Sequence, residues 1–185
     1  MKLFLGFIIG ILFIVPVYGE YDLLITNGRI IDGSGNPAYF ADIGIKDGKI
    51  LSIGHLQHET AQDTVDASGF FVSPGFIDVH THVDNAIFRL PKAENFIRDG
   101  VTTVVTGNCG GSELPIGNYL SDVKAKGSAI NIATLVGHGT IRRKVMGSEN
   151  RDPTPEEYEN MKKLVAQAME EGAVGLSSGL IYVPG

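Results

Sequence analysis

The sequence predicts an α/β protein in two parts, a small β domain followed by alternating strands and helices. Before residue 74, short apolar runs are separated by Asn-Gly and Asp-Gly pairs, which are typical of β-hairpins. After it, β-branched runs alternate with helix-like segments, an order typical of βαβ units. The second part therefore predicts either a (β/α)8 barrel or an open doubly wound sheet.

The composition is that of a globular protein and limits the classes of partner. The chain has 185 residues, of which 43% are hydrophobic and 19% charged, and its net charge is −6. An acidic protein has no general attraction for nucleic acid or for an anionic membrane surface, so we expect neither as a partner. A small-molecule substrate is compatible with this composition.

Residues 1–19 have the pattern of a signal peptide. Lys2 precedes an apolar run over residues 3–17, and the small residue Gly19 follows at the position of a cleavage site. Pro16 ends the run short of the roughly 20 apolar residues that span a bilayer, so a cleaved signal is favoured over a membrane anchor. We therefore expect an exported protein, periplasmic or secreted, with no stable anchor after cleavage.

Residues 20–73 are expected to form the strands of the small β domain. Asn27-Gly28 and Asp47-Gly48 each lie between apolar runs, and each pair predicts a hairpin turn. Residues 65–72 supply one further short strand, which leads into the second part.

Residues 74–185 carry the alternating pattern. The predicted strands are residues 76–83, 101–106, 129–136 and 173–177, and the predicted helices are residues 91–99, 116–126 and 154–171. In the last helix, Thr154 and Glu157 form a capping box and Pro155 stands at the first helical position. Four strands make half of a barrel that needs about 250 residues, so we expect the N-terminal part of a longer protein.

Candidate metal ligands follow the first two of these strands. His80 and His82 are two residues apart, so their side chains project to the same side of a strand. Cys109 follows the second strand and, as the only cysteine, is either a free thiol or a metal ligand. Because the C-terminal ends of parallel strands share one rim, we expect the three side chains to meet there. Imidazole and thiolate are donors that zinc prefers, so the pattern favours a zinc site over a hydrogen-bonded histidine pair.

Three further side chains are candidates for supporting or substrate-binding roles. Asp78 shares a strand face with the histidines and is either a hydrogen-bonding support of the site or a member of a buried ion pair. His138 follows the third strand and is either a neighbour of the site or the maker of a structural hydrogen bond. Tyr182 follows the fourth strand and either contacts the substrate or has only a packing role within the protein.

Five segments carry a further signal when they are taken together. They are residues 27–33, 74–82, 107–110, 137–142 and 172–180. With these motifs the chain resembles the D-aminoacylase, or N-acyl-D-amino-acid deacylase, branch of the amidohydrolase superfamily. The His-x-His strand is common to the superfamily, whereas Cys109 and the Leu-Ser-Ser-Gly segment are typical of the branch.

The resemblance implies about half of a metal-dependent hydrolase barrel, preceded by strands of a β-sandwich domain that is built from both chain ends. It implies zinc at the barrel mouth, with Cys109 in a bridging position and His80 and His82 at a weaker metal position. The expected cofactor is one tightly bound Zn²⁺ with a second, weaker one. Two histidine ligands and the general-base aspartate are expected beyond residue 185, so no catalytic residue is expected within this chain.

The expected activity is zinc-dependent hydrolysis of the amide bond of N-acyl-D-amino acids, which releases a D-amino acid and a carboxylate. The alternatives are another amidohydrolase, such as a hydantoinase-like cyclic amide hydrolase or a deaminase, and an inactive truncated fragment. The expected partner is thus a small-molecule N-acyl amino acid, and these residues do not predict an oligomeric state.

Overall fold

The computed structural model describes residues 21–183, in two units that divide between Pro74 and Gly75. The expected signal peptide, residues 1–19, lies outside the described residues. Within residues 21–183, none of the helices combines the length and the apolar character of a membrane span.

The N-terminal unit contains a mixed sheet of five strands. The strands are β1 (Tyr21–Ile30), β2 (Tyr39–Lys46), β3 (Lys49–Gly54), β4 (Ala61–Asp66) and β5 (Phe71–Val72). Their order is β3-β2-β1-β4, with β5 also beside β1. β1 runs antiparallel to β2 and parallel to β4 and β5. Ile30, Ala41 and Ile43 form a small buried cluster on this sheet, and the two layers of a sandwich remain a prediction.

The two predicted hairpin turns have different outcomes. Asp47-Gly48 joins β2 to β3, and both residues have the positive φ that a tight hairpin turn requires. The prediction at Asn27-Gly28 is wrong, because β1 continues through this pair with a bulge. The backbone N–H of Asn27 donates to Asp42 on β2, and its side-chain amide donates to Asp66 on β4. The positive φ of Asn27 therefore serves a bulge that is fixed by both neighbouring strands.

The C-terminal unit alternates short parallel strands with helices. Its strands are β6 (Phe76–Asp78), β7 (Val101–Thr106), β8 (Asn131–Thr134), β9 (Val136–Gly137) and β10 (Leu176–Ser177). Its helices are α1 (Ala86–Arg89), α2 (Glu94–Arg98), α3 (Ile116–Lys126), α4 (His138–Met146) and α5 (Pro155–Glu170). β6, β7 and β8 form one parallel sheet, and β9 pairs in parallel with β10. The α/β class is confirmed, and the barrel remains a prediction.

Two buried clusters hold the helices of this unit against its strands. One joins α1 and α3 to β7 through Ile87, Tyr119 and Val104. The other joins α4 and α5 to β9 through Ile141, Ala168 and Val136. α4 was not predicted, because a glycine and three cationic residues at positions 142–144 interrupt its apolar pattern.

Candidate metal centre

The two histidines and the cysteine lie together beyond the ends of β6 and β7. The potential ligand atoms of His80, His82 and Cys109 all lie within 4.8 Å of one another. Sγ of Cys109 is 3.5 Å from Nε2 of His80, and the centroids of the two imidazole rings are 5.5 Å apart. No other group of three or more such residues occurs within residues 21–183.

The histidines belong to a segment that has left the sheet, residues 79–83, which we call the histidine segment. β6 ends at Asp78, whereas the sequence predicted a strand that continues to residue 83. The carboxylate of Asp78 accepts a hydrogen bond from the backbone N–H of His80 at 3.1 Å, a local bond that favours a turn. Thr81 is buried, and its backbone N–H and hydroxyl both donate to the carbonyl of Val105, at 3.0 and 2.9 Å. Thr81 therefore anchors the segment to β7, and the histidines on either side of it stay exposed.

Cys109 lies in a glycine-rich loop after β7, residues 107–112, which we call the cysteine loop. The φ of Cys109 is +57°, an uncommon conformation for a residue with a Cβ, and the φ values of Gly107 and Gly110 are also positive. Ser177 of β10 reaches into this loop. Its hydroxyl donates to the carbonyl of Gly107 at 2.6 Å and accepts from the backbone N–H of Gly110 at 3.0 Å.

One glycine at the end of β9 and another after β10 let the backbone approach the cysteine loop closely. A Cβ at Gly137 would overlap the carbonyl of Gly110, and a Cβ at Gly179 would overlap the carbonyl of Cys109. At the start of α4, the backbone N–H of Thr140 donates to the carbonyl of Gly110 at 3.1 Å. The glycine motifs of residues 137–142 and 172–180 thus form the surface on which the cysteine loop packs, which we call the seat of the loop.

The histidines and Asp78 line a cavity of about 490 Å³. Its other walls are largely apolar and include Ile87 and Leu90 of the α1 region and Phe96 of α2. A cavity of this size and lining is typical of a small-molecule site. Asp78 accepts a hydrogen bond from the backbone of His80, and no ion pair of Asp78 is present within residues 21–183. Its role in supporting the site remains a prediction.

His138 and Tyr182 are not members of the group of potential ligands. His138 begins α4 and lines a separate, mostly apolar cavity of about 570 Å³ with residues of α5. Its Nδ1 is buried and, within residues 21–183, has no hydrogen-bond partner. Tyr182 is 58% exposed and lines a third cavity beside Arg142. Substrate contact by either side chain remains a prediction.

Asp84 is a residue of this region that the sequence analysis missed. Its Oδ2 accepts a hydrogen bond from the hydroxyl of Thr106 at 2.5 Å. Its Oδ1 and the hydroxyl of Tyr119 are both buried and have no partner within the described residues. Burial, followed by the negative charges of Asp84 and Glu113, raises the pKa of Tyr119 above its usual range. The spacing His-x-His-x-Asp was the available signal, because it places Asp84 next in the same alternation as the histidines.

The chemistry of the three donors fits zinc. Zinc takes thiolate sulfur at about 2.3 Å and imidazole nitrogen at about 2.0 Å, so a tetrahedral ion holds these atoms about 3.5 Å apart. The 3.5 Å between Sγ of Cys109 and Nε2 of His80 agrees with that spacing. Three protein donors leave a coordination position for another ligand.

The parallel α/β fold and this donor set are those of a metal-dependent hydrolase class. Residues 63–182 match the Amidohydrolase family, and residues 16–76 match the N-terminal domain of the urease alpha-subunit. The first match covers more than half of the 185 residues. The chain belongs to the amidohydrolase family.

Relatives that match about nine tenths of this chain include deacylases. The chain is 40% identical to the D-aminoacylase of Alcaligenes xylosoxydans xylosoxydans, over 89% of this chain and 39% of that protein. It is 38% identical to the N-acyl-D-glutamate deacylase of the same organism, over 90% of this chain and 38% of that protein. The resemblance to the N-acyl-D-amino-acid deacylase branch is confirmed, and the chain spans about two fifths of the length of these relatives.

A solved structure supports the same relationship. The N-acyl-D-glutamate deacylase of Bordetella bronchiseptica was determined with zinc and a phosphonate inhibitor that mimics the tetrahedral intermediate of its reaction. It matches with a TM-score of 0.86 and 39% identity, over 89% of this chain and 40% of that one.

Proposed function

We propose that this chain is part of a zinc-dependent N-acyl-D-amino-acid deacylase, which cleaves the amide bond to release a D-amino acid and a carboxylate. The observation that carries the proposal is the grouping of Cys109, His80 and His82 within 4.8 Å in a chain that belongs to the amidohydrolase family. The apolar pattern of residues 3–17 supports export of this enzyme to the periplasm or out of the cell.

In this proposal His80, His82 and Cys109 hold the metal. When bound, zinc lowers the pKa of its water ligand to about 7 and polarises the substrate carbonyl. Cys109 donates as a thiolate, and its negative charge offsets part of the charge of the metal without taking part in the attack. The proposed cofactor is one tightly bound ion with a second, weaker one.

The remaining residues of the site position the donors and admit the substrate. Thr81 ties the histidine segment to β7, and Asp78 accepts from the backbone N–H of His80, so the two imidazoles are held beside the sulfur. The cavity of about 490 Å³ beside the histidines offers an apolar wall to the acyl group or the side chain of the substrate. The general base and the other metal ligands belong, in this proposal, to chain beyond residue 185.

The test is an assay of the complete protein on N-acetyl-D- and N-acetyl-L-amino acids with chiral analysis of the products. We expect release of the D-amino acid, loss of that activity after chelation and recovery when zinc is added back. Turnover of the L-substrates alone would contradict the proposal. Turnover of cyclic amides without turnover of the acyl amino acids would favour the hydantoinase-like alternative.

A further inference from the structure

The hydroxyl of Ser177 joins the two ends of the short segment that carries Cys109. Oγ donates its proton to the carbonyl of Gly107 at 2.6 Å and accepts from the backbone N–H of Gly110 at 3.0 Å. All three residues are buried, and Ser177 is only 8% exposed. Because the proton and an oxygen lone pair are both used by backbone groups, this buried hydroxyl is unsuited to act as a nucleophile.

The segment needs an external restraint, because its backbone conformation is unfavourable. Cys109 has φ of +57°, and the chain around it turns through the bond from the N–H of Gly111 to the carbonyl of Asn108. Uncommon backbone conformations persist only where the surrounding structure fixes them. Without Ser177, the buried N–H of Gly110 and the buried carbonyl of Gly107 would each lose this partner.

Ser177 is presented from a paired strand. It lies in β10, opposite Gly137 of β9, and Gly137 itself packs against the carbonyl of Gly110. The other side of the cysteine loop is joined to the histidine segment, because the side-chain amide of Asn108 donates to the carbonyls of Thr81 and Val105, at 3.3 and 3.0 Å. A hydrogen-bonded path thus runs from β10 through the cysteine loop to the residue between the two histidines.

We propose that Ser177 is a positioning residue for the metal centre. Its hydroxyl fixes the backbone of Cys109 so that the sulfur stays beside His80, and metal affinity therefore depends on a side chain that is not itself a ligand. This inference rests on the proposed zinc site.

The test uses cobalt(II) in place of zinc in the complete protein, because the absorption of a cobalt-thiolate bond reports directly on the sulfur of Cys109. Wild type and Ser177→Ala are titrated with cobalt, and the metal-free proteins are melted. Partners that orient metal ligands are typically worth 10- to 100-fold in affinity, so we expect Ser177→Ala to bind cobalt about 10- to 100-fold more weakly with a weakened thiolate band. Ser178→Ala, which changes the exposed neighbouring serine, is the matched control and should bind as wild type does.

Every outcome is decisive. Unchanged affinity and an unchanged thiolate band in Ser177→Ala would overturn the inference while the zinc site stands. Failure of Ser177→Ala to give a cooperative melt would also overturn it, because the hydroxyl would then be required for folding as such. If wild type shows no thiolate band and Cys109→Ser binds cobalt equally well, the proposed function itself fails.

Discussion

The two sides of the candidate metal centre are held in different ways. The histidine segment leaves its sheet at Asp78, is hydrogen-bonded to β7 through the buried residue Thr81, and leaves both imidazoles exposed. The cysteine loop is enclosed by β9, β10 and α4, through close glycine contacts and hydroxyl bonds from Ser177. The thiol side is thus held by contacts with three elements, whereas the imidazole side is held mainly through β7 and keeps its two rings exposed.

This difference predicts which substitutions should most reduce the stability of the protein and its affinity for metal. A ligand that is already held in place loses little conformational freedom when the ion binds, so its surroundings influence both folding and affinity. Changes around the cysteine loop should therefore lower the free energy of unfolding together with metal affinity. Changes around the histidine segment should act more weakly on both.

The largest effect is expected from loss of the sulfur. Cys109→Ser replaces a thiolate with a neutral hydroxyl, and we expect zinc affinity to fall by more than about 100-fold, because even partners that only orient ligands are worth up to that much. Competition with a chromophoric chelator measures the affinity. The metal-free melt should change little, since the two side chains have similar shape. Retention of wild-type affinity would show that the cysteine loop does not supply a ligand.

The next largest effect is expected from crowding the seat of the cysteine loop. In Gly179→Ala the new Cβ overlaps the carbonyl of Cys109, and overpacking of this kind costs about 1–3 kcal/mol of unfolding free energy. Gly111→Ala is the matched control in the loop itself, because the nearest atom to its Cβ would be the carbonyl oxygen of Asn108 at 3.9 Å. Urea denaturation of both variants checks the prediction. Equal losses would contradict the idea that close backbone contact holds the loop.

A smaller effect is expected on the other side of the centre. Thr81→Val removes the hydroxyl that donates to Val105 but keeps the backbone bond to the same carbonyl. That carbonyl also accepts from Asn108, so no acceptor is left without a partner, and we expect a loss of about 1 kcal/mol with less than about tenfold weaker zinc binding. Denaturation and metal titration measure the two quantities. A loss of affinity as large as that of Ser177→Ala would remove the contrast between the two sides.

The smallest effect is expected at the start of α5. A change there serves as a control outside the metal centre. Hydrogen bonds from Arg151, and then from the backbone of Thr154, lower the pKa of Glu157 from 4.5 to about 2. Because the pKa is lowered in the folded protein, this stabilisation is present above about pH 4.5 and is lost as the pH falls towards 2. Glu157→Gln should therefore melt slightly below wild type at neutral pH, and the difference should shrink in acid.

Melting of the metal-free proteins over a pH series measures that difference, in which the other titrating groups largely cancel. Zinc affinity at neutral pH should be the same in Glu157→Gln and wild type. Weaker zinc binding in this variant would mean that small losses of stability anywhere reduce zinc affinity. Differences in affinity between substitutions in the histidine segment and in the cysteine loop could then not be assigned to local positioning of the ligands.

Features that depend on local chemistry were accessible from the sequence. The capping box of Thr154 and Glu157 and the type of turn at Asp47-Gly48 need only neighbouring residues, and both are present in the structure. The proximity of Cys109 to His80 was expected because the ends of parallel strands share one edge.

Features that depend on residues far apart in the chain could not be predicted from the sequence. The bulge at Asn27 is fixed by Asp42 and Asp66 on other strands, and the same Asn-Gly pair is otherwise a turn signal. Ser177 is a polar residue of ordinary appearance in the sequence, and its role follows from burial and from hydrogen bonds to residues far along the chain. The spacing from His80 and His82 draws attention to Asp84, but its hydrogen bond with Thr106 is not visible in any local pattern.

The contact between Ser177 and the cysteine loop also has a consequence for the order of folding and metal uptake. All three donors precede β10 in the chain, whereas the hydroxyl that restrains the backbone around Cys109 belongs to β10 and is presented by its pairing with β9. Tight binding of an ion would then follow the pairing of β10 with β9, so that an incompletely folded chain holds the donors but retains metal weakly.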